Sequence, residues 1–271
     1  MNVSLYSKTF QYFHFTDILP IAKKYGYSGI EFDRLPKMGA SLLQEYTAKE
    51  GMDIVAIHSA AHVMQGSNIA SGNADKRFAG TNAILEAIDY AGTCGCPVVQ
   101  VKGMYCWPYS SPYKGFWERA KKELQHISKI AEAKNVKLAL QVKHTIAYLI
   151  NSPWAAIEMI EEVGSPALGV TFDTGIFNLM TLQATSLVGF INILKDHIIH
   201  VQVNDNDGTT DQKLPPGRGN INWDVLLMAL RDINYSGYLS VDLENGFEQR
   251  DPHGASWESI QFLKEKLSAI N

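Results

Sequence analysis

The sequence has few cysteines and no excess of basic residues. Its 271 residues include three cysteines, Cys94, Cys96 and Cys106, without the paired spacing of a disulfide framework. This usage is typical of thiols kept reduced, so we expect a cytoplasmic location. The formal net charge is −4. Because proteins that bind a phosphate backbone are usually basic, we expect no nucleic-acid partner.

The sequence also lacks long apolar segments. No run of about 18 apolar residues occurs, as a membrane-spanning helix would need, and the first residues lack the apolar core of a signal peptide. We therefore expect no membrane partner. No Gly-x-Gly-x-x-Gly motif follows the first predicted strand, so we expect no nucleotide cofactor.

Strand-like and helix-like stretches alternate along the whole chain. The predicted strands are 3–6, 29–32, 53–58, 97–102, 137–142, 168–172, 198–203 and 238–242. The predicted helices are 16–25, 40–50, 74–92, 115–133, one from 153, one within 185–195, 223–233 and 256–269. Repeated units of this kind predict an α/β fold with a parallel sheet. Eight units at this length favour a (β/α)8 TIM barrel, and with no linker we predict a single domain over 1–271.

Polar residues gather at the carboxyl ends of the predicted strands, where α/β barrels bind their ligands. Asp173 directly follows a buried apolar strand, and it can either serve a site or cap the following turn. The other polar residues at these ends are Glu31, Asp33, His58, Gln100, Lys102, Gln141, Lys143, His200, Gln202, Asn204, Asp205, Asp242 and Glu244. Each has a structural alternative when taken singly. Together they predict a polar active site for a small, hydroxyl-rich substrate, with Trp107 among the aromatic residues that could stack on a sugar.

Several motifs carry a family resemblance. They are LALQ (138–141), TFDTG (171–175), HVQVND (200–205), LPPGRGNINW (214–223) and GYLSVDLE (237–244), with looser agreement at YGYSGIE (25–31) and Ile57-His58. Through them the chain resembles, over essentially its whole length, the xylose-isomerase-like TIM barrels of the sugar phosphate isomerase/epimerase type, in the AP-endonuclease-2-like superfamily. The resemblance implies an isomerase or epimerase that moves a proton next to a carbonyl of a sugar or polyol derivative.

The resemblance also implies one divalent metal, held by Glu, Asp, His and Glu from the fifth to eighth strands. Those positions hold Gln141, Asp173, Gln202 and Asp242. Of the four, Asp173 alone is the residue type that the resemblance implies. Two carboxylates and two amides could form a weaker all-oxygen site for Mg²⁺, Mn²⁺ or Ca²⁺.

A lysine offers an alternative to the metal. The ammonium group of Lys143 or Lys102, placed between Asp173 and Asp242, could do part of the metal's electrostatic work. The residues predicted to be catalytic are Asp173, Asp242, Lys143, Lys102 and His58. The residues predicted to contact substrate are Glu31, Gln141, Gln202, His200, Trp107 and, through a phosphate or carboxylate, Arg218.

Two further functions stay open. A lyase or dehydratase on a keto-sugar or keto-inositol shares the first step, removal of a proton next to a ketone. A homologue that binds sugars without catalysis also fits, because Gln141 is neutral where the resemblance implies a glutamate. The nucleic-acid branch of the superfamily uses many histidines at a zinc cluster, and only His58 matches. Barrels of this kind often form dimers or tetramers, so a homo-oligomer is possible, and the sequence leaves the oligomeric state open.

Overall fold

The eight strands form one closed parallel barrel. The structure is a computed structural model, and it describes residues 1–59, 66–102, 104–106, 113–181, 185–243 and 251–270. Each strand pairs with the next in chain order, and the last pairs with the first. The strands are β1 (Asn2–Tyr6), β2 (Gly29–Phe32), β3 (Asp53–His58), β4 (Val98–Val101), β5 (Lys137–Gln141), β6 (Leu168–Asp173), β7 (Ile198–Val203) and β8 (Tyr238–Val241). The predicted (β/α)8 barrel is confirmed.

Helices connect the strands on the outside of the barrel. They are α1 (Phe15–Tyr25), α2 (Ala40–Glu50), α3 (Ala74–Cys94), α4 (Tyr113–Ala133), α5 (Pro153–Val163), α6 (Thr174–Met180), α7 (Leu187–Leu194), α8 (Trp223–Asp232) and α9 (Pro252–Ile270), with a 3-10 turn at Ser7–Phe10. The short α6 is not among the predicted helices. Nearly all of its residues are buried, so it shows no alternation of polar and apolar faces from which a helix could be recognised. No helix in the described parts of the chain is long and apolar enough to cross a bilayer.

The barrel interior changes from apolar to polar toward its carboxyl end. Small and apolar side chains from β3, β4 and β5 form a separate cluster inside it. Two positions further along each strand, on the same face, a polar residue follows. The pairs are Ala56 and His58, Val98 and Gln100, and Ala139 and Gln141. Because side chains alternate between the two faces of a strand, polar side chains collect at the carboxyl end of the barrel, which we call its mouth, as the sequence predicts.

The loop between β7 and α8 is tied to the barrel by a buried carboxylate. Asp205 Oδ2 accepts the backbone N–H of Gly217 and the indole N–H of Trp223, at 2.9 and 2.8 Å. Oδ1 accepts the N–H of Ile221 at 3.3 Å. A Cβ on Gly219 would lie 2.2 Å from Oδ1, so this position must be glycine. These contacts explain the Gly-x-Gly motif and the tryptophan that follows it.

We expect Asp205→Ala to lower the free energy of unfolding by on the order of 3 kcal/mol, because it leaves several buried donors without an acceptor. Urea unfolding followed by tryptophan fluorescence measures this. Asp207→Ala is the matched control, since the Asp207 carboxylate is exposed and binds only its own loop through Thr209 and Gln212. An equal loss of unfolding free energy in the two variants would show that Asp205 does not hold the loop.

Candidate active site

Asp173 both ends β6 and caps α6. Its Oδ1 accepts the backbone N–H groups of Gly175 and Ile176, at 3.1 and 3.2 Å. Its Oδ2 accepts a hydrogen bond from Lys213 Nζ at 2.8 Å. One carboxylate oxygen therefore caps the helix, which is one of the two predicted roles, and the other binds Lys213.

The carboxyl ends of β6 and β7 are locked together beside Asp173. Thr174 Oγ1 donates to the backbone oxygen of Asn204 at 2.6 Å and accepts the N–H of that residue at 3.0 Å. Asn204 Nδ2 donates to Asp173 Oδ1 at 2.9 Å. A Cβ on Gly175 would lie 1.9 Å from Asn204 Oδ1. The Asp-Thr-Gly motif is thus explained by close packing of two strand ends.

The ammonium group of Lys213 lies between two strand-end carboxylates. Its Nζ is 2.8 Å from Asp173 Oδ2 and 2.9 Å from Asp242 Oδ2, and the side chain is only 8% exposed. The sequence predicts Lys143 or Lys102 between these aspartates, and the structure places Lys213 there. Those two lysines follow β5 and β4 and are half-buried.

Lys213 reaches the mouth because its loop is closed by backbone hydrogen bonds. The N–H of Asp205 donates to the oxygen of Leu214 at 2.8 Å, and the N–H of Leu214 donates back at 2.9 Å. Lys213 itself has a φ of +51°, a left-handed conformation that is costly for a residue with a side chain. Sequence reasoning missed Lys213 because it lies in an irregular loop rather than at a strand end.

A second carboxylate lies deeper in the barrel. Glu31 is fully buried, and its Oε1 is within hydrogen-bonding distance of nitrogens of His58, Gln202 and Gln100, at 2.6, 2.8 and 3.1 Å. Its Oε2 lies 3.0 Å from His200 Nε2. Burial alone would raise the pKa of Glu31, but the charge of His200 and hydrogen bonds from His200 and His58 hold that pKa well below its usual range.

Glu31, His58, Gln202 and His200 all have predicted roles in catalysis or substrate contact. The structure shows them buried, with the other three bound to Glu31, and Gln202 pairs in register with Asp173. Their predicted roles stay predictions. His58 also stacks on Tyr6, with the ring centroids 4.9 Å apart.

The interior carboxylate fixes the orientation of two amides. A carboxylate only accepts hydrogen bonds, so Gln202 must turn its NH₂ group toward Glu31 and its Oε1 away. Gln141 Nε2 then donates to Gln202 Oε1 at 3.4 Å. This leaves Gln141 Oε1 buried, with no hydrogen-bond partner among the described residues. An unpaired buried oxygen is costly, and a ligand hydroxyl would satisfy it.

Asp211 is a further mouth residue that sequence reasoning missed. Its Oδ1 lies 3.7 Å from Lys213 Nζ, and its side chain is 32% exposed. Burial raises the pKa of Asp211, the charge of Lys213 opposes this, and the charge of Asp173 raises it further. The net shift is upward, and the charge of Lys143 also acts on this carboxyl. A loop aspartate beside other aspartates gives no sequence signal of such a shift.

A further predicted substrate contact, Arg218, is bound to another side chain. Arg218 forms an ion pair with Glu258 of α9, with Nε 2.8 Å from Oε1, and its side chain is 44% exposed. Its charge is therefore paired with that of Glu258 at the protein surface. Trp107 lies outside the described residues, as does Glu244.

The residues at the mouth do not fit the divalent metal that the family resemblance implies. An ammonium group already lies between the carboxylates of Asp173 and Asp242. Gln202, a predicted ligand, donates to Glu31 instead, and Gln141 binds Gln202. Within the described ranges, no group of three or more His, Cys, Asp or Glu side chains could hold a metal ion. The four predicted ligands are thus bound to Lys213, to Glu31 or to one another.

Comparison with known proteins gives several related sugar epimerases. The D-psicose 3-epimerase of Enterocloster bolteae is 30% identical over 141 residues, which are 50% of this chain and 44% of that protein. The matched part therefore spans less than half of this curated relative. The structure of a D-tagatose 3-epimerase-like protein is 25% identical, with a TM-score of 0.85, and the match covers 100% of this chain and 98% of that one.

Two further matches bear on the fold and on the family. The IolI protein, solved with a bound zinc atom, has the same fold, with a TM-score of 0.83 at 19% identity and coverage of 100% and 99%. Residues 19–266 match the family model of the xylose isomerase-like TIM barrels, AP endonuclease family 2. The chain belongs to the xylose isomerase-like TIM barrel family.

Proposed function

We propose that the protein isomerises or epimerises a ketose, or a ketone derived from a polyol, by moving a proton on the carbon next to the carbonyl. The observation that carries this proposal is the meeting of Asp173, Asp242 and Lys213 at the carboxyl end of the barrel. The epimerase names of its relatives support the same reaction class. The steps below assign a role to each mouth residue.

The charges at the mouth favour a neutral substrate. The carboxylates of Asp173, Asp242 and Asp211 surround the ammonium group of Lys213, and they would repel a phosphate. Arg218, the loop cation that could hold one, is paired with Glu258. The unpaired Gln141 Oε1 is suited to accept a hydroxyl. We therefore propose an unphosphorylated sugar or polyol ketone.

Lys213 is suited to stabilise negative charge on a substrate oxygen. Burial alone would lower the pKa of its ammonium group, but the charges of Asp173 and Asp242 hold that pKa well above its usual value. The group therefore stays protonated and acts as a donor rather than a base. An ammonium carries three N–H groups, and one of them can hydrogen-bond the substrate carbonyl oxygen. This stabilises the enediolate that forms when a neighbouring proton leaves.

Asp211 is the mouth residue best suited to take that proton. It is partly exposed, lies next to Lys213 and has a raised pKa, which are the properties of a general base that must gain and lose a proton in each cycle. Asp173, by contrast, is fixed by a helix cap and an ion pair. Glu31 and His58 then act as positioning residues through Gln202 and Gln141.

Hydrogen exchange in D₂O tests the proposed function. We expect the protein to exchange the C3 proton of a ketohexose such as D-psicose and to form the rearranged sugar, both measured by NMR. A panel of ketohexoses and keto-inositols identifies the preferred substrate. Exchange with elimination would instead indicate a lyase. Binding without exchange would indicate a sugar-binding homologue, and either result would contradict the isomerase proposal.

We expect Asp211→Asn to reduce exchange by about 10²- to 10⁴-fold, the usual contribution of a positioned acid or base. Ketose binding, measured by calorimetry, should remain. Because the base must be ionised and its pKa is raised, wild-type exchange should fall on acidification at a pH above the usual range for aspartate. Asp196→Asn, an exposed site before β7, is the control. Wild-type exchange rates in Asp211→Asn would rule out this role.

We expect Gln141→Leu to weaken ketose binding about five- to tenfold, since it removes one acceptor of a substrate hydroxyl. The melting temperature should fall only slightly, because Oε1 has no partner among the described residues and the amide loses one long hydrogen bond, from Nε2 to Gln202 at 3.4 Å. Calorimetry and thermal unfolding measure the two effects. Gln125→Leu on the exposed face of α4 is the control. Unchanged affinity would show that Gln141 does not contact the substrate.

A further inference from the structure

The charge at the strand ends is balanced without a metal ion. The family resemblance implies three carboxylates, one histidine and a divalent cation at four strand-end positions. Here Gln141 and Gln202 are neutral, so the carboxylates are Asp173 and Asp242, and one ammonium group lies between them. Both sets carry a net charge of −1. The loss of one carboxylate therefore matches the change from a divalent to a monovalent cation.

The position of Lys213 Nζ disfavours a metal ion beside it. A divalent ion bound by these carboxylates would lie about 2.0–2.6 Å from their oxygens, while Nζ lies 2.8 and 2.9 Å from one oxygen of each. The two cations would therefore be close neighbours. At the same distance a divalent ion repels an ammonium group twice as strongly as a monovalent ion does.

The surrounding loop holds Lys213 in this place. The backbone bridge between Asp205 and Leu214 fixes the residue next to it, and the buried carboxylate of Asp205 fixes the rest of the loop. Lys213 also keeps a left-handed backbone, with a φ of +51°. Strain of this kind persists only where many contacts maintain it. The ammonium is therefore a built part of the site and not a mobile surface charge.

We propose that Lys213 is a built-in substitute for a divalent metal: its ammonium group excludes the metal from Asp173 and Asp242 and makes the reaction metal-independent. The claim that the reaction is metal-independent rests on the proposed function. The claim that Lys213 excludes the metal does not. In the reaction, Asp211 takes the proton, and the C–H electrons form the C=C bond of an enediolate. The negative oxygen is stabilised by Lys213, and return of the proton to carbon completes the exchange.

Metal binding to wild type and Lys213→Met tests the proposal without a substrate. We expect wild-type protein dialysed against EDTA and then Mn²⁺ to hold no stoichiometric metal by mass spectrometry. Added Mn²⁺ should shift its melting temperature by less than about 1 °C, whereas Lys213→Met should gain several degrees and one bound Mn²⁺ by EPR. Lys134→Met, which removes a surface partner of Asp89, should behave as wild type.

One Mn²⁺ bound per wild-type chain, or equal Mn²⁺ shifts in wild type and Lys213→Met, would overturn the proposal. If Lys213→Met does not fold, the metal content of the wild type and its Mn²⁺-induced shift in melting temperature still test the proposal. Activity is tested separately: exchange by the wild type should be unchanged in EDTA, and its loss in EDTA would also overturn the proposal. A wild type that excludes Mn²⁺ but exchanges no ketone would refute the proposed function alone.

Discussion

The mouth of this barrel depends on the ion pairs of one buried lysine. Two carboxylates brought together by neighbouring parts of a barrel cannot both stay charged and buried without a cation. Lys213 supplies that cation to Asp173 and Asp242. Its place is set in turn by Asp205, whose buried carboxylate organises the loop that follows β7. The loop is therefore as much a part of the site as the strands are.

A second carboxylate organises the interior in a different way. Glu31 accepts hydrogen bonds from side chains on β3, β4 and β7, so it ties together strands that are distant in sequence. Through Gln202 it also fixes which end of Gln141 faces outward. One charge deep in the barrel thus determines the hydrogen-bonding character of the mouth. Burial alone would raise the pKa of Glu31, and its histidine partners hold that pKa low.

The architecture and the strand-end residues could be predicted from the sequence because both follow from local periodicity. Asp173 and Asp242 stand directly after apolar strands, and a parallel barrel brings such ends together. Lys213 and Asp211 could not be found in this way, since their positions depend on how an irregular loop folds back. The hydrogen bonds of Glu31 could not be predicted either, because its partners lie on strands that are distant in sequence. The helix α6 was missed because its residues are buried on all sides.

The central claim is that an ammonium group occupies the place of a metal between Asp173 and Asp242. Anomalous diffraction at the manganese edge, from crystals soaked in MnCl₂, tests this most directly. The account predicts density for the Lys213 side chain within about 3 Å of both carboxylates, as an N⁺–H···O⁻ contact requires, and no anomalous peak there. A peak about 2.0–2.6 Å from both aspartates, with Lys213 turned away, would contradict it.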